Sequence, residues 1–328
     1  MIIVTGGAGF IGSNIVAALA GRGHHEIVVC DWFGTDDKWR NIAAHEIYDI
    51  IAPEQLLSFL DVSPTRVEAI IHMGAVSATT ERDVDKIVQS NFRLSCDLWQ
   101  WCAKSGTPFI YASSAATYGD GGAGFDDDGS PDALARLQPL NAYGWSKHAF
   151  DRRVARLVAN NRPAPLAWAG LKFFNVYGPN EYHKGEMRSV ICKIVETIGK
   201  GEPVRLFKSH RPDYPDGGQM RDFVYVKDCV DVILWLLDHG NYRGIYNIGT
   251  GRARSFADLA QGVFAAMNRA PEIDYVDTPI EIRDKYQYFT EARMDRLRAL
   301  GYRRDFTELE DGIADYVRNY LLTDNPYC

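Results

Sequence analysis

The chain has 328 residues, of which 46% are apolar and 24% charged, and a net charge of −7; this composition is that of a soluble globular protein. Its length predicts one large domain or two fused domains, and its acidity argues against non-specific binding to nucleic acid or to anionic membranes. The apolar runs are too short to span a bilayer. The six cysteines are scattered without CxxC spacing, so neither a metal site nor a disulfide framework is expected. We therefore expect a cytoplasmic protein.

Strand and helix patterns alternate along the first 175 residues. Short β-branched runs predict strands at Ile2–Thr5, Glu26–Cys30, Ala69–His72, Phe109–Ala112 and Leu166–Phe174. Longer patterns between them predict helices at Ile11–Arg22, Val84–Lys104 and Tyr143–Asn160. Such alternation predicts right-handed βαβ units, and hence an α/β fold with a doubly wound parallel sheet of the Rossmann type.

The pattern becomes less regular after Gly178. Helical stretches (Arg188–Lys200, Lys227–Asp238 and Ser255–Met267) alternate with turn-rich segments such as Arg211–Gly218. We expect residues 1–175 to form the first domain and residues 176–328 mainly a smaller α/β domain that binds substrate. Later segments, about 221–250, are expected to return to the first domain, because Ile245–Ile248 has the pattern of a further sheet strand.

A glycine-rich segment, T-G-G-A-G-F-I-G (Thr5–Gly12), joins the first predicted strand to the first helix. Small residues at such a turn let the backbone approach a pyrophosphate, and the helix N-terminus offers it free N–H groups. An acidic residue, Asp31, ends the second strand about 20 positions later, as the dinucleotide fingerprint requires. A tight turn without a ligand is the alternative. The predicted cofactor contacts here are Gly6, Gly9, Phe10, Ile11, Gly12, Asp31 and Trp32.

The residues leave the choice of dinucleotide open. Asp31 favours NAD, because it can accept hydrogen bonds from the adenosine ribose. Lys38 and Arg40 lie a short loop away and favour NADP, because they can pair with a 2′-phosphate; alternatively both are solvated surface charges. Small residues also follow the strand at Ala69–His72, where an open α/β sheet places its ligand crevice. They extend the predicted cofactor site to Met73, Gly74, Ala75, Val76, Ser77 and Asn91.

The segment N-A-Y-G-W-S-K (Asn141–Lys147) places Tyr143 and Lys147 on one face of a predicted helix. A phenol is a weak base at neutral pH, but a neighbouring ammonium and a positively charged nicotinamide ring favour the phenolate. Ser114, at the end of the preceding strand, can donate a hydrogen bond to the reacting oxygen of a substrate. An ordinary pair of helix neighbours is the alternative, and the glycine-rich turn favours the catalytic interpretation.

These segments together resemble the extended short-chain dehydrogenases/reductases of the NAD-dependent epimerase/dehydratase family. The resemblance extends from T-G-G-A-G-F-I-G through Y-x-x-x-K to R-D-F-V-Y-V-K-D (Arg221–Asp228) and Y-N-I-G-T-G (Tyr246–Gly251). It implies an enzyme that acts on a nucleotide-activated sugar, as an epimerase, a dehydratase or a reductase. The 4,6-dehydratases of the family carry an Asp-Glu pair where this chain has Ala115-Ala116, so elimination of water is not expected.

The segments E-Y-H-K-G (Glu181–Gly185) and K-Y-Q-Y-F-T (Lys285–Thr290) narrow the resemblance within the family. These segments are similar to those of family members that epimerise C6 of an ADP-linked heptose for lipopolysaccharide core synthesis. The likeness implies tightly bound NADP, with NAD as the alternative, and two catalytic bases, Tyr143 and Lys184. A lysine that binds the diphosphate is the alternative role for Lys184.

The resemblance also implies contacts for the substrate and the rest of the cofactor. Val176, Lys147 and Lys184 are expected at the cofactor, and a homo-oligomer, with a pentamer as the candidate state, is implied for the assembly. A 4-epimerase or reductase acting on a UDP-, GDP- or dTDP-sugar remains the alternative activity, and a non-catalytic NADP-binding regulator is a third. The expected substrate-binding residues are Ser114, Asn175, Glu186, Lys193, Phe207, Lys208, Ser209, Arg221 and Tyr286.

Overall fold

The computed structural model describes residues 1–63, 65–283 and 286–328. The strands, in chain order, are β1 (Ile2–Thr5), β2 (Ile27–Cys30), β3 (Asp49–Ile51), β4 (Ala69–His72), β5 (Phe109–Ser114), β6 (Trp168–Phe173), β7 (Asn175–Tyr177), β8 (Val204–Phe207), β9 (Met220–Arg221), β10 (Phe223–Tyr225), β11 (Arg243–Ile248), β12 (Arg254–Ser255) and β13 (Ile273–Val276). The helices are α1 (Phe10–Gly21), α2 (Leu56–Val62), α3 (Val84–Ile87), α4 (Leu94–Ser105), α5 (Pro131–Ala135), α6 (Ala142–Ala159), α7 (Val190–Gly199), α8 (Val226–His239), α9 (Phe256–Ala266), α10 (Ile280–Arg283), α11 (Asp295–Leu300) and α12 (Leu309–Tyr316).

Seven strands form the main sheet, in the order β3-β2-β1-β4-β5-β6-β11. Each neighbouring pair is parallel. The strand order reverses at β1, which lies between β2 and β4, and an open α/β sheet binds ligands at this kind of switch point. The α/β class and the doubly wound parallel sheet are therefore confirmed.

The two faces of the sheet pack into separate cores. Ile2 and Val4 point into a cluster with Ile15 of α1 and Ile233 of α8, whereas Ile3, between them in sequence, packs in the cluster on the opposite face. Successive side chains of a strand alternate between faces, so a strand that is covered on both sides must be apolar throughout. This is why the predicted strands agree with the observed ones to within about two residues at most ends.

The remaining strands pair in short parallel or antiparallel ladders: β7 with β10, β8 with β13 and β9 with β12. Helices α7, α9 and α12 pack beside them in a third cluster. One later segment joins the main sheet, since β11 is bonded to β6 along its whole length, from Arg243 opposite Trp168 to Ile248 opposite Phe173. The assignment of residues 1–175 and 176–328 to two functional domains stays a prediction.

One predicted helix, Val84–Lys104, is divided by a π-helical segment, Val88–Arg93, between α3 and α4. A π-helical turn inserts an extra residue into the α-helical repeat, and such turns occur frequently at functional sites. Here the segment buries Ser90 and Asn91. Among the described residues, no helix is long and apolar enough to cross a membrane.

Candidate active site

The glycine-rich turn lies at the carboxyl end of β1, against the segment that follows β4. Gly6 has a left-handed backbone with φ of 64°, and a Cβ added there would lie 2.6 Å from the amide nitrogen of Gly74. A Cβ on Gly12 would overlap the carbonyl oxygen of Gly6. Only glycine fits this close approach. Helix α1 then begins at Phe10 with no side-chain cap on its N-terminus, so its first N–H groups remain available to an anion.

Asp31 follows β2, and both of its carboxylate oxygens accept hydrogen bonds. One oxygen accepts a hydrogen bond of 3.0 Å from the backbone N–H of Ala8 in the glycine-rich turn. The other accepts one of 2.7 Å from the ammonium of Lys38, which also donates to the carbonyl of Trp32 at 2.8 Å. Asp31 and Lys38 thus form a partly buried ion pair at the edge of the turn. Arg40 instead lies over the ring of Tyr327, at 5.5 Å.

The segment after β4 is held by groups beneath it. Gly74 donates its backbone N–H to the hydroxyl of Thr5 at 3.1 Å. The Asn91 side chain accepts from the N–H of Val76 at 2.8 Å and donates to its carbonyl at 3.0 Å. Asn91 also donates to the hydroxyl of Ser146 on α6. Asn91 is fully buried and therefore supports the wall of the cleft from behind.

A cleft of about 890 Å³ opens along these elements. Most of the residues that the sequence predicted for cofactor and catalysis line it. They are Gly6, Gly9, Phe10, Ile11, Gly12, Asp31, Trp32, Lys38, Met73, Gly74, Ala75, Val76, Ser77, Ser114, Tyr143, Lys147, Asn175, Val176, Lys184 and Arg221.

The segment Asn141–Lys147 forms the start of α6. The Asn141 side chain caps the helix by accepting from the N–H of Gly144 at 2.8 Å. A Cβ on Gly144 would lie 2.7 Å from the carbonyl oxygen of Ala116, so glycine lets α6 pack directly on the turn after β5. This packing brings Tyr143 beside Ser114 and buries Lys147, whose exposed fraction is 3%.

The electrostatics of the pair follow from burial. Burial raises the pKa of the Tyr143 phenol, and a hydrogen bond with Ser114 works in the opposite direction. Burial lowers the pKa of Lys147 to about 8, against the field of Asp151 one helical turn away. The ammonium is therefore close to its titration point at neutral to mildly alkaline pH.

Lys184 enters the cleft from a 3₁₀ turn, Tyr182–Met187, between β7 and α7. Its ammonium lies 5.1 Å from the ring centroid of Phe10, the first residue of α1. Burial lowers the pKa of Lys184, and the nearby Glu181 opposes that shift. Glu181 is itself fully buried and accepts hydrogen bonds of 2.6 Å from both the N–H and the hydroxyl of Ser189. The turn that carries Lys184 is thus anchored at both ends.

Two aromatic rings pack against Arg221, which lines the cleft. Its guanidinium lies 5.5 Å from the ring of Tyr286 and 5.7 Å from that of Phe256. The rings of Phe207 and Tyr286 are themselves 5.8 Å apart, edge to face. The neighbouring Asp222 is buried. Tyr286 therefore packs on Arg221 and Phe207 packs on Tyr286, and neither ring is part of the cleft lining.

Four predicted substrate contacts lie farther out. Glu186 and Lys193 form an ion pair of 2.9 Å with each other, and the Glu186 side chain is 93% exposed. Lys208 lies 3.9 Å from Asp277, and the backbone N–H of Ser209 donates to Asp216. The structure does not bring these four to the described part of the cleft lining. Lys285, in the K-Y-Q-Y-F-T segment, lies outside the described residues.

Sequence reasoning missed several residues at the site. Gln287 and Thr290 line the cleft and belong to the K-Y-Q-Y-F-T segment, so the motif indicated the segment but not these members. Asp151 and Lys172 lie beneath the cleft as a buried ion pair. A lysine inside the predicted buried strand Leu166–Phe174 was the available signal, because lysine is almost never fully buried unless paired.

The fold and the cleft define a class: proteins that bind a dinucleotide at the switch point of a doubly wound parallel sheet. The model of the NAD dependent epimerase/dehydratase family matches residues 2–249. The chain therefore belongs to the NAD dependent epimerase/dehydratase family, whose cofactor is a nicotinamide dinucleotide.

Individual relatives are similar over the whole chain. The chain is 52% identical, over 100% of both sequences, to ADP-L-glycero-D-manno-heptose-6-epimerase of Nitratidesulfovibrio vulgaris (strain DP4). The crystal structure of the Helicobacter pylori ADP-L-glycero-D-manno-heptose-6-epimerase matches with a TM-score of 0.78 and 25% identity, covering 97% of this chain and 95% of that one. Thermus thermophilus UDP-glucose 4-epimerase, in complex with NAD, matches with a TM-score of 0.70 and 26% identity, covering 96% and 97%.

Proposed function

We propose that the protein is an epimerase that converts ADP-D-glycero-D-manno-heptose to ADP-L-glycero-D-manno-heptose by transient oxidation at C6. The observation that carries the proposal is that Tyr143 and Lys184 line one cleft from two separate elements, as a reaction needs when it handles protons on two sides of one carbon. The full-length identity of 52% to a relative of that name supports the choice of sugar nucleotide. The product would serve lipopolysaccharide core synthesis.

The residues of the cleft fit a nicotinamide dinucleotide. The glycine-rich turn and Gly74 both line the cleft with backbone that carries no Cβ, and the N-terminus of α1 is free to bind a pyrophosphate. A nicotinamide dinucleotide held by the glycine-rich turn and the N-terminus of α1 would supply a reversible hydride acceptor for the carbinol carbon. We propose NADP, with NAD as the alternative. The Lys38 ammonium already neutralises Asp31, which would otherwise repel a 2′-phosphate.

Three residues of the chain serve the oxidation. Tyr143, as the phenolate, takes the proton of the C6 hydroxyl as the carbonyl forms. Lys147 stabilises that phenolate with its ammonium, because the two side chains share one face of α6. Ser114 donates a hydrogen bond to the reacting oxygen, and its hydrogen bond with the Tyr143 phenol keeps the two hydroxyls together. Ala115 and Ala116 supply no carboxylate to eliminate water.

Lys184 serves the second half of the reaction. Once the carbonyl has turned in the cleft, Lys184 protonates the oxygen as the hydride returns to the opposite face. The depressed pKa of Lys184, caused by burial, favours loss of its proton to that oxygen. The Phe10 ring stabilises the ammonium form by a cation–π contact. Burial and the contact with Phe10 thus act on the Lys184 ammonium in opposite directions.

The proposed substrate-binding site lies among the aromatic and polar residues near Arg221. Arg221 would bind the diphosphate through its planar guanidinium, Asn175 would contact the sugar, and Tyr286 would close over it. Residues 1–175 would form the NADP-binding domain and residues 176–328 mainly the substrate-binding domain. A cytoplasmic homo-oligomer, with a pentamer as the candidate state, completes the proposal. Ser114 is a further proposed substrate contact within the cleft. The other proposed contacts would meet only a part of the substrate that extends beyond the cleft lining: Glu186, Lys193, Phe207, Lys208 and Ser209.

The test is to incubate the purified protein with ADP-D-glycero-D-manno-heptose and follow the ratio of C6 epimers by NMR, with UDP-galactose as the control substrate. The proposal predicts equilibration of the heptose epimers and no conversion of UDP-galactose. Turnover of UDP-galactose without conversion of the heptose would favour the 4-epimerase instead. The presence of Lys184 argues against that activity, because a 4-epimerase needs no second base from this turn.

A further inference from the structure

A buried ion pair lies directly under the catalytic residues. Asp151 belongs to α6, two helical turns beyond Tyr143 and one beyond Lys147, and Lys172 belongs to β6. The Lys172 ammonium lies 2.8 Å from the Asp151 carboxylate, and the two side chains are 1% and 0% exposed. Removing two charges from water is costly, so a buried pair of this kind often stabilises a fold no better than apolar residues of similar size. Stability alone is therefore a weak explanation for the pair.

The Asp151 carboxylate is bonded on both oxygens. One oxygen accepts a hydrogen bond of 3.0 Å from the Tyr111 hydroxyl. The other accepts 2.7 Å from the Ser113 hydroxyl and 2.8 Å from Lys172. Tyr111 and Ser113 both belong to β5, whose last residue is Ser114. The carboxylate thus joins α6, which carries the tyrosine and the lysine, to the strand that carries the catalytic serine.

The Lys172 ammonium extends the same connection. It donates 2.6 Å to the hydroxyl of Thr117, and that hydroxyl donates 2.7 Å to the carbonyl of Ser114. The ammonium also lies 4.9 Å from the ring of Tyr118. Lys172 therefore has two direct partners, a carboxylate and a hydroxyl, and each leads to a residue of the cleft.

Few charged groups act on Lys147. From α6 it is approached by Tyr143 and Asp151, and from β4 by His72, whose pKa burial lowers to about 3, so that the imidazole is neutral. Burial disfavours the Lys147 ammonium, and Asp151 is the group that favours it. Lys172 and the hydroxyls of β5 contact Asp151 from its other side. His148 follows Lys147 on α6, and burial lowers its pKa to about 4.

We propose that Asp151 and Lys172 are positioning residues for catalysis. Asp151 is the buried anion that keeps Lys147 cationic, and the positive charge of Lys172 partly offsets the electrostatic effect of Asp151 on Lys147. The inference rests on the proposed function for its kinetic consequence, since Lys147 acts by stabilising the Tyr143 phenolate. The pair itself touches neither substrate nor cofactor.

Two variants separate an electrostatic role from a structural one by the sign of their effects. Lys172→Met removes the cation and leaves Asp151 bonded to two hydroxyls, so the Lys147 ammonium should persist to higher pH. Asp151→Asn with Lys172→Met removes both charges with little change in volume, so the ammonium should be lost at lower pH. We expect the alkaline limb of the kcat profile to move by about one pH unit in each direction, with little change in KM.

The charge of Lys147 can also be measured without activity, by titrating ¹⁵N-lysine-labelled holoenzyme by NMR and assigning the signal with Lys147→Arg. The same opposite shifts are expected there. A matched control, Asp315→Asn with Lys227→Met, removes a partly exposed pair elsewhere and should leave the Lys147 titration unchanged.

Shifts in the same direction, or none, in folded Lys172→Met and double-variant proteins would overturn the proposal. If the double variant does not fold, Lys172→Met is sufficient by itself: an unchanged or lowered pKa of Lys147 in that variant overturns the proposal. If the wild-type protein fails to convert the heptose while the pKa of Lys147 shifts as expected in the two variants, the proposed function is refuted and the role of the pair stands.

Discussion

Tyr143 and Lys184 reach the cleft from the first turn of α6 and from the 3₁₀ turn before α7, respectively. The tyrosine is held by helix capping at Asn141, and the lysine by the buried carboxylate of Glu181, which fixes Ser189. Each base thus depends on a different local structure. A substitution at one is therefore expected to leave the geometry of the other unchanged.

The first prediction concerns these two bases. Tyr143→Phe and Lys184→Met should each reduce epimerisation on the order of 1,000-fold, because each removes a proton-transfer group. Both variants should keep measurable cofactor binding, since the glycine-rich turn is untouched. NMR of the C6 epimers and cofactor titration by fluorescence measure the two effects. Full epimerase activity in Lys184→Met would refute the two-base assignment and favour a diphosphate-binding role.

The second prediction concerns Lys38, which lies 2.7 Å from Asp31. Lys38→Ala should weaken the binding of NADP about tenfold or more, because a charge-assisted hydrogen bond to the 2′-phosphate is lost and Asp31 becomes an unpaired anion. The affinity for NAD, which lacks that phosphate, serves as the internal control and should change little. An equal loss for both dinucleotides, measured by calorimetry, would show that Lys38 does not select the cofactor.

At the scale of elements, the sequence predicted the strands of the main sheet and the long helices, and it missed the short strands and turns. The parallel strands of the main sheet are buried on both faces, so each is a continuous apolar run that composition reveals. The ladder of β8 with β13 is different, because both strands have exposed or half-buried positions instead of a continuous buried run. Pairing of such short strands is set by tertiary contacts. The π-helical turn at Val88–Arg93 likewise leaves no sequence signal in an amphipathic pattern.

The third prediction tests how α1 is joined to the glycine-rich turn. Gly12→Ala should destabilise the fold by about 3 kcal/mol and abolish cofactor binding, because the added Cβ meets the Gly6 carbonyl oxygen. Gly21→Ala, in the last turn of the same helix, is the matched control, since nothing lies within 4 Å of its added Cβ. It should stabilise the helix by about 0.5 kcal/mol. Denaturant unfolding compares the two, and equal effects would contradict the packing described for this turn.

At the scale of the whole molecule, Asp222 connects segments that are far apart in sequence. Its carboxylate accepts hydrogen bonds from the N–H and hydroxyl of Thr250, and from the N–H groups of Gly251 and Ala292. Asp222 is fully buried and adjoins Arg221. The R-D-F and I-G-T-G segments of the family pattern thus meet at one carboxylate, which holds the segment that carries Arg221 to the end of β11.

The fourth prediction follows from this junction. Asp222→Asn should lower the free energy of unfolding by about 3 kcal/mol, because an amide nitrogen would face backbone donors where an oxygen accepted them. Asp238→Asn is the control: that aspartate pairs with Arg22 at the surface, and such pairs contribute little. Thermal unfolding compares the variants. A loss in Asp238→Asn as large as in Asp222→Asn would contradict the account.

The sequence predicted most of the cleft because motif residues cluster at the carboxyl ends of strands, and those ends meet at one edge of a parallel sheet. It could not predict which members of a loop face inward. Glu186 and Lys193 pair with each other on the surface, while Gln287 and Thr290 line the cleft. Nor could it pair Asp151 with Lys172, because their contact depends on the packing of α6 against β6.

The central proposal is that the enzyme inverts C6 by transferring a hydride from that carbon to the bound cofactor and back to its opposite face, while Tyr143 and Lys184 take and return the proton of the oxygen. The most direct test is to supply ADP-D-glycero-D-manno-heptose with deuterium at C6, in ordinary water, and to analyse the epimerised product by mass spectrometry and NMR. The account predicts a product that retains deuterium at C6, because the hydride stays with the bound cofactor. Replacement of that deuterium by solvent hydrogen would contradict it.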